Sequence, residues 1–593
     1  RALVLRALGA RIGEDVHQHR GVALHHGGWD LLEIGDEAAL GRDVSIGLVS
    51  YDQQQLVFAP VTIGARATLD TRSRMGPGSR IEPEGFLSAL SWLADGATLA
   101  AGECWNGVPA QPAGSAPPSP PPSDEPPRPS ALHSMVLLIA KAVVAQVAFL
   151  PAMVLAAVVL SAWRSTGAAA TFWTLPLGGL AAAIMAGYLL SLPLQAFLCR
   201  VLPRVEPGVY PLRGGTALTV LLKERLVESA NVALSGTLAW PLWLRAAGMR
   251  VGRRCEISTI MEVTPELLEI ADDCFFADGI YLGRPLVHRG HLHCARTTFS
   301  RHTFIGNHAV IPAGAALPPD ILLGVCTVAE PERIRAGSGW FGHPAFELPR
   351  REMVAAHHSL TFSPSAVRVL NRVLWESMRI TLPVLPAFLL VFWATTLPGL
   401  ATGLSGTALH LGLLPLAAIS TGLFLCVLTL ATKWLLLGRM RPGHHVLWSC
   451  WCCRWDFVYE IWSAYGRPVI ECLEGTPAVA WWLRAMGARI GHRVVIGTSL
   501  AQLVDPDMLA IDDDATVSCH LQLHSFEDRV LKLGPSRIGA GSTVAAGSLL
   551  LYGAEIGPRA TVAELGVVMK HEHLSPAQRY EGVPTHPAPG AHA

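Results

Sequence analysis

The chain has 593 residues, of which 51% are hydrophobic and 16% are charged, and its formal net charge is zero. This length predicts several domains, and so few charges at this hydrophobicity indicate membrane-spanning segments rather than an ordinary soluble protein. The balanced charge argues against a nucleic-acid partner. The twelve cysteines follow no regular framework, so we expect them to be reduced.

One phrase, Leu-Arg-Ala-x-Gly-x-Arg-(Ile/Val)-Gly, occurs three times and ends at Gly13, Gly252 and Gly491, with equal intervals of 239 residues. A second phrase, Leu-Leu-Glu-Ile or Met-Leu-Ala-Ile, follows each copy, and Gly-x-Pro-(Ala/Thr) closes each copy. These repeats predict one module that is present three times. The chain opens with Arg1 rather than Met, so we also expect it to be part of a longer polypeptide.

Composition divides the chain into seven predicted segments. They are module 1 (1–110), a proline-rich linker (111–133), a transmembrane hairpin (134–204), amphipathic helices with module 2 (205–350), a linker helix (351–378), a second transmembrane hairpin (379–441), and amphipathic helices with module 3 (442–588). Proline is so dense in residues 109–130 that we expect an extended tether there, without helix or sheet.

Four stretches are apolar over about 20 residues or more, which is the length that a bilayer core requires. They are Met135–Trp163, Phe172–Cys199, Ile380–Leu404 and Leu411–Leu437. Lys and Arg lie toward the outer ends of the two hairpins, and the turns contain Arg164 alone. The positive-inside rule therefore predicts a multi-pass cell-membrane protein with all three modules on the cytoplasmic side. The alternative is that these are buried helices of a large soluble core.

Within each module, apolar residues return about every six positions and are followed by glycine or another small residue, as in residues 61–69, 303–317 and 536–549. One six-residue unit gives a short strand and a turn, and three units complete one coil. The predicted fold is therefore a mixed membrane protein, in which three tandem left-handed parallel β-helix modules alternate with transmembrane α-helical hairpins. A meander of ordinary strands is the alternative for each module.

The hexapeptide runs, each followed by Gly-Val-Pro-Ala, Gly-His-Pro-Ala or Gly-Val-Pro-Thr, resemble the hexapeptide acyltransferases, which move acyl groups from thioesters to amines or hydroxyls. The order of modules and hairpins resembles the C-terminal region of ε-poly-L-lysine synthetase and its relatives, membrane-bound nonribosomal peptide synthetases that make amino-acid homopolymers. This resemblance covers nearly the whole chain. It implies an upstream adenylation domain, a carrier domain bearing 4'-phosphopantetheine, and one further membrane hairpin.

The resemblance also implies a reaction, namely aminoacyl transfer from a carrier-bound thioester to a free amino acid or a short homopolymer. A membrane scaffold that binds adenylation and carrier partners is one alternative, and a coenzyme A-dependent acetyltransferase is another. Hexapeptide acyltransferases are commonly trimers, so we expect the three modules to form an internal pseudo-trimer. A homo-oligomer, or a row of independent modules, remains open.

An amine that attacks a thioester must first lose a proton, and a lysine ε-amine with a pKa of about 10.4 is protonated near neutral pH. A general base, most often histidine, is therefore expected. Strand alternation across residues 520–524 places two histidines and one glutamine on the same face, and two carboxylates and a lysine follow. The predicted catalytic residues are His520, His524, Glu527 and Asp528, and the predicted substrate-binding residues are Gln522 and Lys532. We prefer His524 as the base, with Glu527 or Asp528 orienting it or holding the acceptor ammonium group.

Other histidines give weaker signals. They are His17, His19, His25 and His26 in module 1, His288, His291, His293, His302 and His308 in module 2, and His571 and His573 in module 3. The module 2 histidines leave a second site or zinc binding open, but their spacing matches no common zinc pattern, so a solvated β-helix edge is favoured there. We expect no metal in this chain.

Overall fold

The computed structural model of the chain describes residues 2–24, 27–52, 55–118, 130–165, 175–349, 356–497, 500, 502–527 and 529–592. Within these residues each module is built from three sheets of short, mostly parallel strands, and successive coils of the chain add one strand to each sheet. The pattern of one short strand per six residues is thus explained by parallel sheets rather than by a meander. The left-handed coil stays a prediction.

Module 1 begins with the helix Ala2–Ala7 and closes its last sheet with an antiparallel pair. Its first sheet contains the strands Arg11–Ile12, Leu32–Ile34, Val61–Ile63, Arg80–Ile81 and Thr98–Leu99. Its second sheet contains Ser45–Ile46, Arg74–Met75 and Trp92–Leu93. Its third sheet contains His17–Gln18, Ala39–Leu40, Thr68–Leu69, Phe86–Leu87, Glu103–Gly107 and Ala110–Ser115. A separate hairpin is formed by Val49–Asp52 and Gln55–Phe58.

Module 2 repeats this plan. Its first sheet contains Arg250–Val251, Leu268–Ile270, Thr297–Phe299 and Ala316–Leu317. Its second sheet contains Ile260–Met261, Ile280–Arg284 and Val310–Pro312. Its third sheet contains Glu256–Ile257, Phe275–Phe276, Phe304–Ile305, Leu322–Leu323, Gly339–Phe341 and Phe346–Glu347. The hairpin of Leu286–His288 and His291–Cys294 gains a third strand, Gly208–Pro211, from the segment that precedes the module.

Module 3 does the same. Its first sheet contains Arg489–Ile490, Leu509–Ile511, Ser536–Ile538, Glu555–Ile556 and His573–Leu574. Its second sheet contains His520–Gln522, Leu549–Leu551 and Val567–Val568. Its third sheet contains Val495–Ile496, Thr516–Val517, Thr543–Val544, Thr561–Val562, Gln578–Glu581 and His586–His592. The hairpin of His524–Glu527 and Val530–Leu533 is joined by Gly443–Val446.

The small residues of the six-residue pattern lie where successive coils touch. A Cβ atom on Gly35 would be 2.5 Å from the backbone nitrogen of Ala65, and one on Gly64 would be 2.5 Å from the nitrogen of Pro83. Side chains at these corners would push the coils apart, because such distances are far below van der Waals contact. The aliphatic residues before them, such as Ile34 and Ile63, are buried inside the coil.

Helices occupy the segments between the modules. They are Ser130–Ser165, Leu175–Val201, Gly215–Leu234 and Trp240–Ala246 before module 2, and His358–Thr361, Ala366–Ile380, Val384–Leu400, Gly406–Ala408, Leu414–Leu436, Cys450–Ile461, Arg467–Glu471 and Pro477–Met486 before module 3. Single helical turns of five residues, Leu409–Leu413 and Trp462–Gly466, interrupt the second group, and short turns at Trp29–Leu31, Pro265–Leu267 and Pro506–Met508 precede a strand in each module.

Among the described residues, three helical segments are long and apolar enough to cross a membrane, namely Ala182–Val201, His358–Leu400 and Gly406–Leu436. A fourth is obtained when Leu132–Gln146 and Leu150–Val159, which meet at a bend of 50°, are counted as one span. Membrane-spanning character is therefore compatible with the structure, whereas the number of passes and the cytoplasmic orientation stay predictions.

The proline-rich segment differs from the sequence expectation at its start. Residues 110–115 form a strand that pairs antiparallel with Glu103–Gly107 and thus extend the last sheet of module 1. Pro112 is tolerated there because it lies on an edge strand, where a residue without a backbone N–H need not break a hydrogen bond of the sheet. The expected tether of residues 119–129 lies outside the described residues.

Each module contacts the other two. Arg74 of module 1 donates from Nη2 to Oε1 of Glu564 in module 3 at 2.7 Å. Arg529 of module 3 donates to the carbonyl oxygen of Arg254 in module 2 at 2.6 Å. Arg284 of module 2 pairs with Asp70 of module 1. These contacts hold the three modules against one another.

The closing Gly-x-Pro phrases meet at a shared apolar cluster. Trp92 and Val108 of module 1, Phe341 of module 2, and Leu549 and Val583 of module 3 belong to it. The backbone nitrogen of His343 donates to the carbonyl oxygen of Val583 at 3.3 Å, so two of the phrases are in direct contact. The peptide bond before the proline is cis in all three phrases. The third repeated phrase therefore lies where the modules join.

Candidate functional site

His524 contacts a buried carboxylate. Its Nδ1 lies 2.6 Å from Oδ2 of Asp505, whose side chain is fully buried. The other carboxylate oxygen of Asp505 accepts a hydrogen bond from Nε1 of Trp455 at 2.8 Å. The indole ring of Trp455 also meets the imidazole edge to face, with 4.9 Å between ring centroids. His524 itself keeps 14% of its side-chain surface exposed.

Three separate elements bring these side chains together. Asp505 immediately precedes the short turn Pro506–Met508, and His524 opens the hairpin strand His524–Glu527. Trp455 lies on the buried face of the helix Cys450–Ile461, whose first turn is capped by the Ser449 hydroxyl, which accepts from the backbone nitrogen of Cys452. The site is thus fixed by a helix, a turn and a strand.

The arrangement suits proton transfer. When Nδ1 donates to Asp505, the neutral imidazole has its lone pair on Nε2, which can accept a proton from an incoming group. The structure gives Nε2 no hydrogen-bond partner among the described residues. A carboxylate held by two N–H donors stays in place and stabilises the imidazolium once it forms.

The predicted orienting carboxylates behave differently. Glu527 pairs with the ammonium groups of Lys532 and Lys570 rather than with His524, so the expectation that it orients the imidazole is not met. Burial opposes its charge, yet Lys570 and Lys532 hold the pKa of Glu527 below its usual range. Sequence proximity misled here because both lysines compete for this carboxylate. Asp528 lies outside the described residues.

The two predicted substrate-binding residues also have defined places. Lys532 is 2% exposed and is engaged with Glu527, so its ammonium group faces the protein interior. Gln522 ends the strand His520–Gln522 and is partly exposed. Their contact with a substrate stays a prediction, and Gln522 is the more accessible of the two.

His520 has other neighbours than His524. Its ring lies 5.9 Å from that of His308 in module 2. Burial, and then the positive charge of Arg72 from module 1, lower the pKa of His520 to about 4. Near neutral pH its imidazole is therefore a weak base that rarely holds a proton. Of the two predicted bases, His524 has the environment that a base requires.

A second histidine–carboxylate contact joins modules 1 and 2. Nε2 of His19 lies 3.6 Å from Oε1 of Glu262, and both side chains are buried. Burial, followed by His17 and two arginines, brings the pKa of His19 well below its usual value. Burial also raises the pKa of Glu262 to about 8. Both groups are therefore mainly neutral near pH 7. The partner of His19 comes from another module, which sequence inspection of module 1 alone did not reveal.

More polar pairs surround this junction of modules 1 and 2. Thr68 Oγ1 and His288 Nδ1 are 2.9 Å apart, and the Tyr281 hydroxyl donates to Oδ2 of Asp43 at 2.5 Å. His288 is only 6% exposed, so the expected solvated edge of module 2 is wrong for this residue. The module 1 histidines His25 and His26 lie outside the described residues.

In the described part of the chain, no group of three His, Cys, Asp or Glu side chains is placed to hold a metal ion. The histidine at the end of module 3, His573, lies on the surface, with Nδ1 3.2 Å from Oε2 of Glu555. This exposed pair has the same chemistry as the buried His524–Asp505 pair but no fixed third member.

Sequence reasoning missed Asp505 and Trp455. One signal was available, because the residues before the three short turns are Gly28, Thr264 and Asp505, so only module 3 carries an acid there. No comparable signal pointed to Trp455, which comes from a helix outside the repeated unit.

The chain is similar over nearly its whole length to a curated protein, the Delta-poly-L-ornithine synthetase of Acinetobacter baumannii (strain AB307-0294). The two are 29% identical over 624 aligned positions, which cover 99% of this chain and 45% of the relative. The chain thus spans less than half the length of the relative that it matches. No family model and no solved structure matches the chain.

Proposed function

We propose that this chain is the amide-bond-forming, membrane-associated part of a poly-amino-acid synthetase. It transfers an aminoacyl group from a carrier-bound thioester to the amine of a free amino acid or short homopolymer. Similarity over 99% of the chain to a protein named as a poly-ornithine synthetase supports the reaction class. The observation that carries the proposal is the buried Asp505 carboxylate against His524, since it supplies the base that amide formation needs.

In the proposed step the acceptor arrives as an ammonium group, loses one proton to solvent and presents its amine to the thioester. The amine nitrogen bonds to the carbonyl carbon while Nε2 of His524 takes the second proton. The carbon–sulfur bond then breaks, and the imidazolium returns that proton to the departing thiolate. Asp505 stabilises the imidazolium between the two transfers, and Trp455 keeps Asp505 in position.

The three modules fit this function as an internal pseudo-trimer of left-handed β-helices, with the reactive site beside the junction of modules 2 and 3. Phe526, two residues after His524, contacts Phe275 of module 2 and Trp455 of the helix Cys450–Ile461. Covalent linkage raises the local concentration of the modules, so that their sequences can diverge without loss of association. Only module 3 combines an acid before its short turn with a histidine at its hairpin, which supports a single catalytic module.

Single-turnover transfer from an aminoacyl-loaded carrier to free amino acid tests the proposal in the membrane-reconstituted full-length synthetase. We expect His524→Ala to lower the rate by about 10²–10⁴-fold, which is the usual contribution of a positioned base. His573→Ala is the matched control, because it removes another module 3 histidine that contacts a carboxylate, and it should transfer normally.

The alternatives give other outcomes. A scaffold without chemistry of its own would show equal transfer in both histidine variants once the proteins are folded and inserted. A coenzyme A-dependent acetyltransferase would accept acetyl-coenzyme A in place of the loaded carrier. Normal transfer by His524→Ala, with an unchanged melting temperature, would remove His524 from the reaction.

A further inference from the structure

A pocket of about 220 Å³ lies where the first helical hairpin meets module 2. It is lined by the end of the helix Leu175–Val201, by the first strands of module 2 and by the short turn Pro265–Leu267. Its cationic lining residues are Arg200, Arg204, Lys223, Arg250 and Arg296. None of these residues belongs to the His524 site.

The charges in this pocket are unbalanced. Lys223 pairs with Glu266, which also accepts from the backbone nitrogen of Val205 at 2.8 Å. Arg250 reaches Glu269 at 3.1 Å. The other three lining cations, Arg200, Arg204 and Arg296, are exposed and have no acidic partner among the described residues. Arginine groups converging on a cavity favour an anion with several oxygens, such as a phosphodiester.

The position of the pocket indicates where such an anion comes from. Arg200 lies in the last turn of the helix, and the segment Ala182–Val201 is long and apolar enough to cross a membrane. Phe197 and Val201, near the end of the same helix, are 61% and 63% exposed and can contact acyl chains. The pocket therefore lies beside the end of the apolar segment, and the end of a membrane span is the depth of lipid headgroups.

We infer that this pocket binds the phosphodiester of an anionic phospholipid, from the leaflet that faces the modules. The arginines hold the headgroup, and the acyl chains lie along the exposed apolar face of the helix. A bound lipid would then join the first hairpin to module 2 at a point where the two contribute charges of the same sign. A cationic polymer or monomer would be repelled from this pocket.

Binding of short-chain lipids to the purified full chain in a neutral detergent tests the inference, with native mass spectrometry as the readout. We expect phosphatidylglycerol to bind at least about tenfold more tightly than zwitterionic phosphatidylcholine. The triple variant Arg200→Gln, Arg204→Gln, Arg296→Gln should lose roughly 100-fold in affinity, at about fivefold per arginine. The matched triple variant Arg301→Gln, Arg333→Gln, Arg335→Gln removes the same charge from exposed positions of module 2 outside the pocket, and it should bind like wild type.

Three results would overturn the inference. Equal affinity for the two lipids would show that charge is not recognised. Equal losses in both triple variants would show that only net charge matters. Binding of glycerol 3-phosphate or pantetheine 4'-phosphate as tightly as phosphatidylglycerol would make the pocket a site for a free phosphate instead of a lipid. None of these results depends on aminoacyl transfer, so the outcome is separate from that of the proposed function.

Discussion

His524 with Asp505, and His19 with Glu262, use the same residue types to opposite effect. Asp505 receives hydrogen bonds from two N–H donors, and the histidine that it holds keeps some exposure. Among the described residues, Glu262 receives only the distant Thr71 hydroxyl at 3.5 Å besides the His19 contact. Burial without enough donors leaves Glu262 and His19 neutral. A histidine beside a carboxylate is therefore suited to act as a base where N–H donors hold the carboxylate and the imidazole keeps some exposure.

The largest effect that sharpens this comparison is expected from Asp505→Asn. The amide keeps the shape of the side chain but no longer stabilises the imidazolium, so transfer should fall by on the order of 10²-fold or more. Single-turnover rates of wild type and the variant at pH 7.5, with melting temperatures measured in parallel, give the comparison.

Glu555→Gln controls for this change, since Glu555 contacts the exposed His573 in the same module. It should leave the rate unchanged. A melting temperature of Asp505→Asn that falls together with the rate would assign Asp505 a purely structural role, and the proposed positioning role would then be lost.

The second effect concerns the junction of modules 1 and 2. It should appear in the stability of the folded protein instead of the rate of aminoacyl transfer. Arg284 and Asp70 form an ion pair in which each side chain is only 8% exposed. Asp70→Asn leaves the guanidinium buried without its counter-charge, which typically destabilises by about 3–5 kcal/mol. Thermal unfolding in detergent should show a clear drop in melting temperature. The exposed pair of Arg250 and Glu269 is the control, because Glu269→Gln should change stability by less than about 1 kcal/mol.

Much of the architecture was accessible from the sequence because its signals are local and repeated. The intervals of 239 residues, the six-residue pattern and the apolar stretches predicted three similar modules separated by apolar helices. The strand Ala110–Ser115 could not be predicted, because a proline-rich composition hides an edge strand that needs few backbone donors. The contact of Gly342–Ala345 with its counterparts was also invisible, since it depends on how the modules meet.

The candidate site was harder to predict than the fold. His524 could be selected because strand alternation is a property of neighbouring residues. Its partner Asp505 lies 19 residues earlier in another coil, and Trp455 lies in a helix outside the repeat. The low basicity of His520 depends on burial and on Arg72 of module 1. No pattern within module 3 carries that information, so sequence alone could not separate the two histidines.

A third effect distinguishes the buried histidines from His524. Burial lowers the pKa values of His17 and His343 to about 4, as it does for His520. Between pH 6.5 and pH 4 the unfolded chain binds more protons than the folded chain, so stability should fall as the pH falls through this window. Each histidine contributes on the order of 1–3 kcal/mol over the full window. The melting temperature should therefore decrease from pH 6.5 to pH 5, where Glu527 is still ionised.

His343→Gln checks this attribution, because its ring contacts the Ser91 hydroxyl of module 1 at 3.0 Å and takes up no proton in the variant. The variant should show a shallower decrease than wild type over the same pH range. Equal slopes in the variant and in wild type would mean that other groups cause the loss of stability.

The smallest effect on aminoacyl transfer, and the sharpest contrast with Asp505→Asn, is expected from Glu262→Gln. The pKa of Glu262 is raised to about 8, so the folded protein keeps this carboxyl protonated at a pH where the unfolded chain ionises it. Wild-type stability therefore declines as the pH rises from about 4.5 toward 8, whereas glutamine, which does not titrate, avoids that loss. The variant should gain up to about 4 kcal/mol at pH 7.5, at about 1.4 kcal/mol per pH unit above 4.5, and little at pH 4.5, while aminoacyl transfer stays normal. Melting temperatures of both proteins at these two pH values measure the difference.

A loss of stability at pH 7.5 would mean that Glu262 is ionised in the folded protein. The junction of modules 1 and 2 would then hold a buried carboxylate anion beside His19.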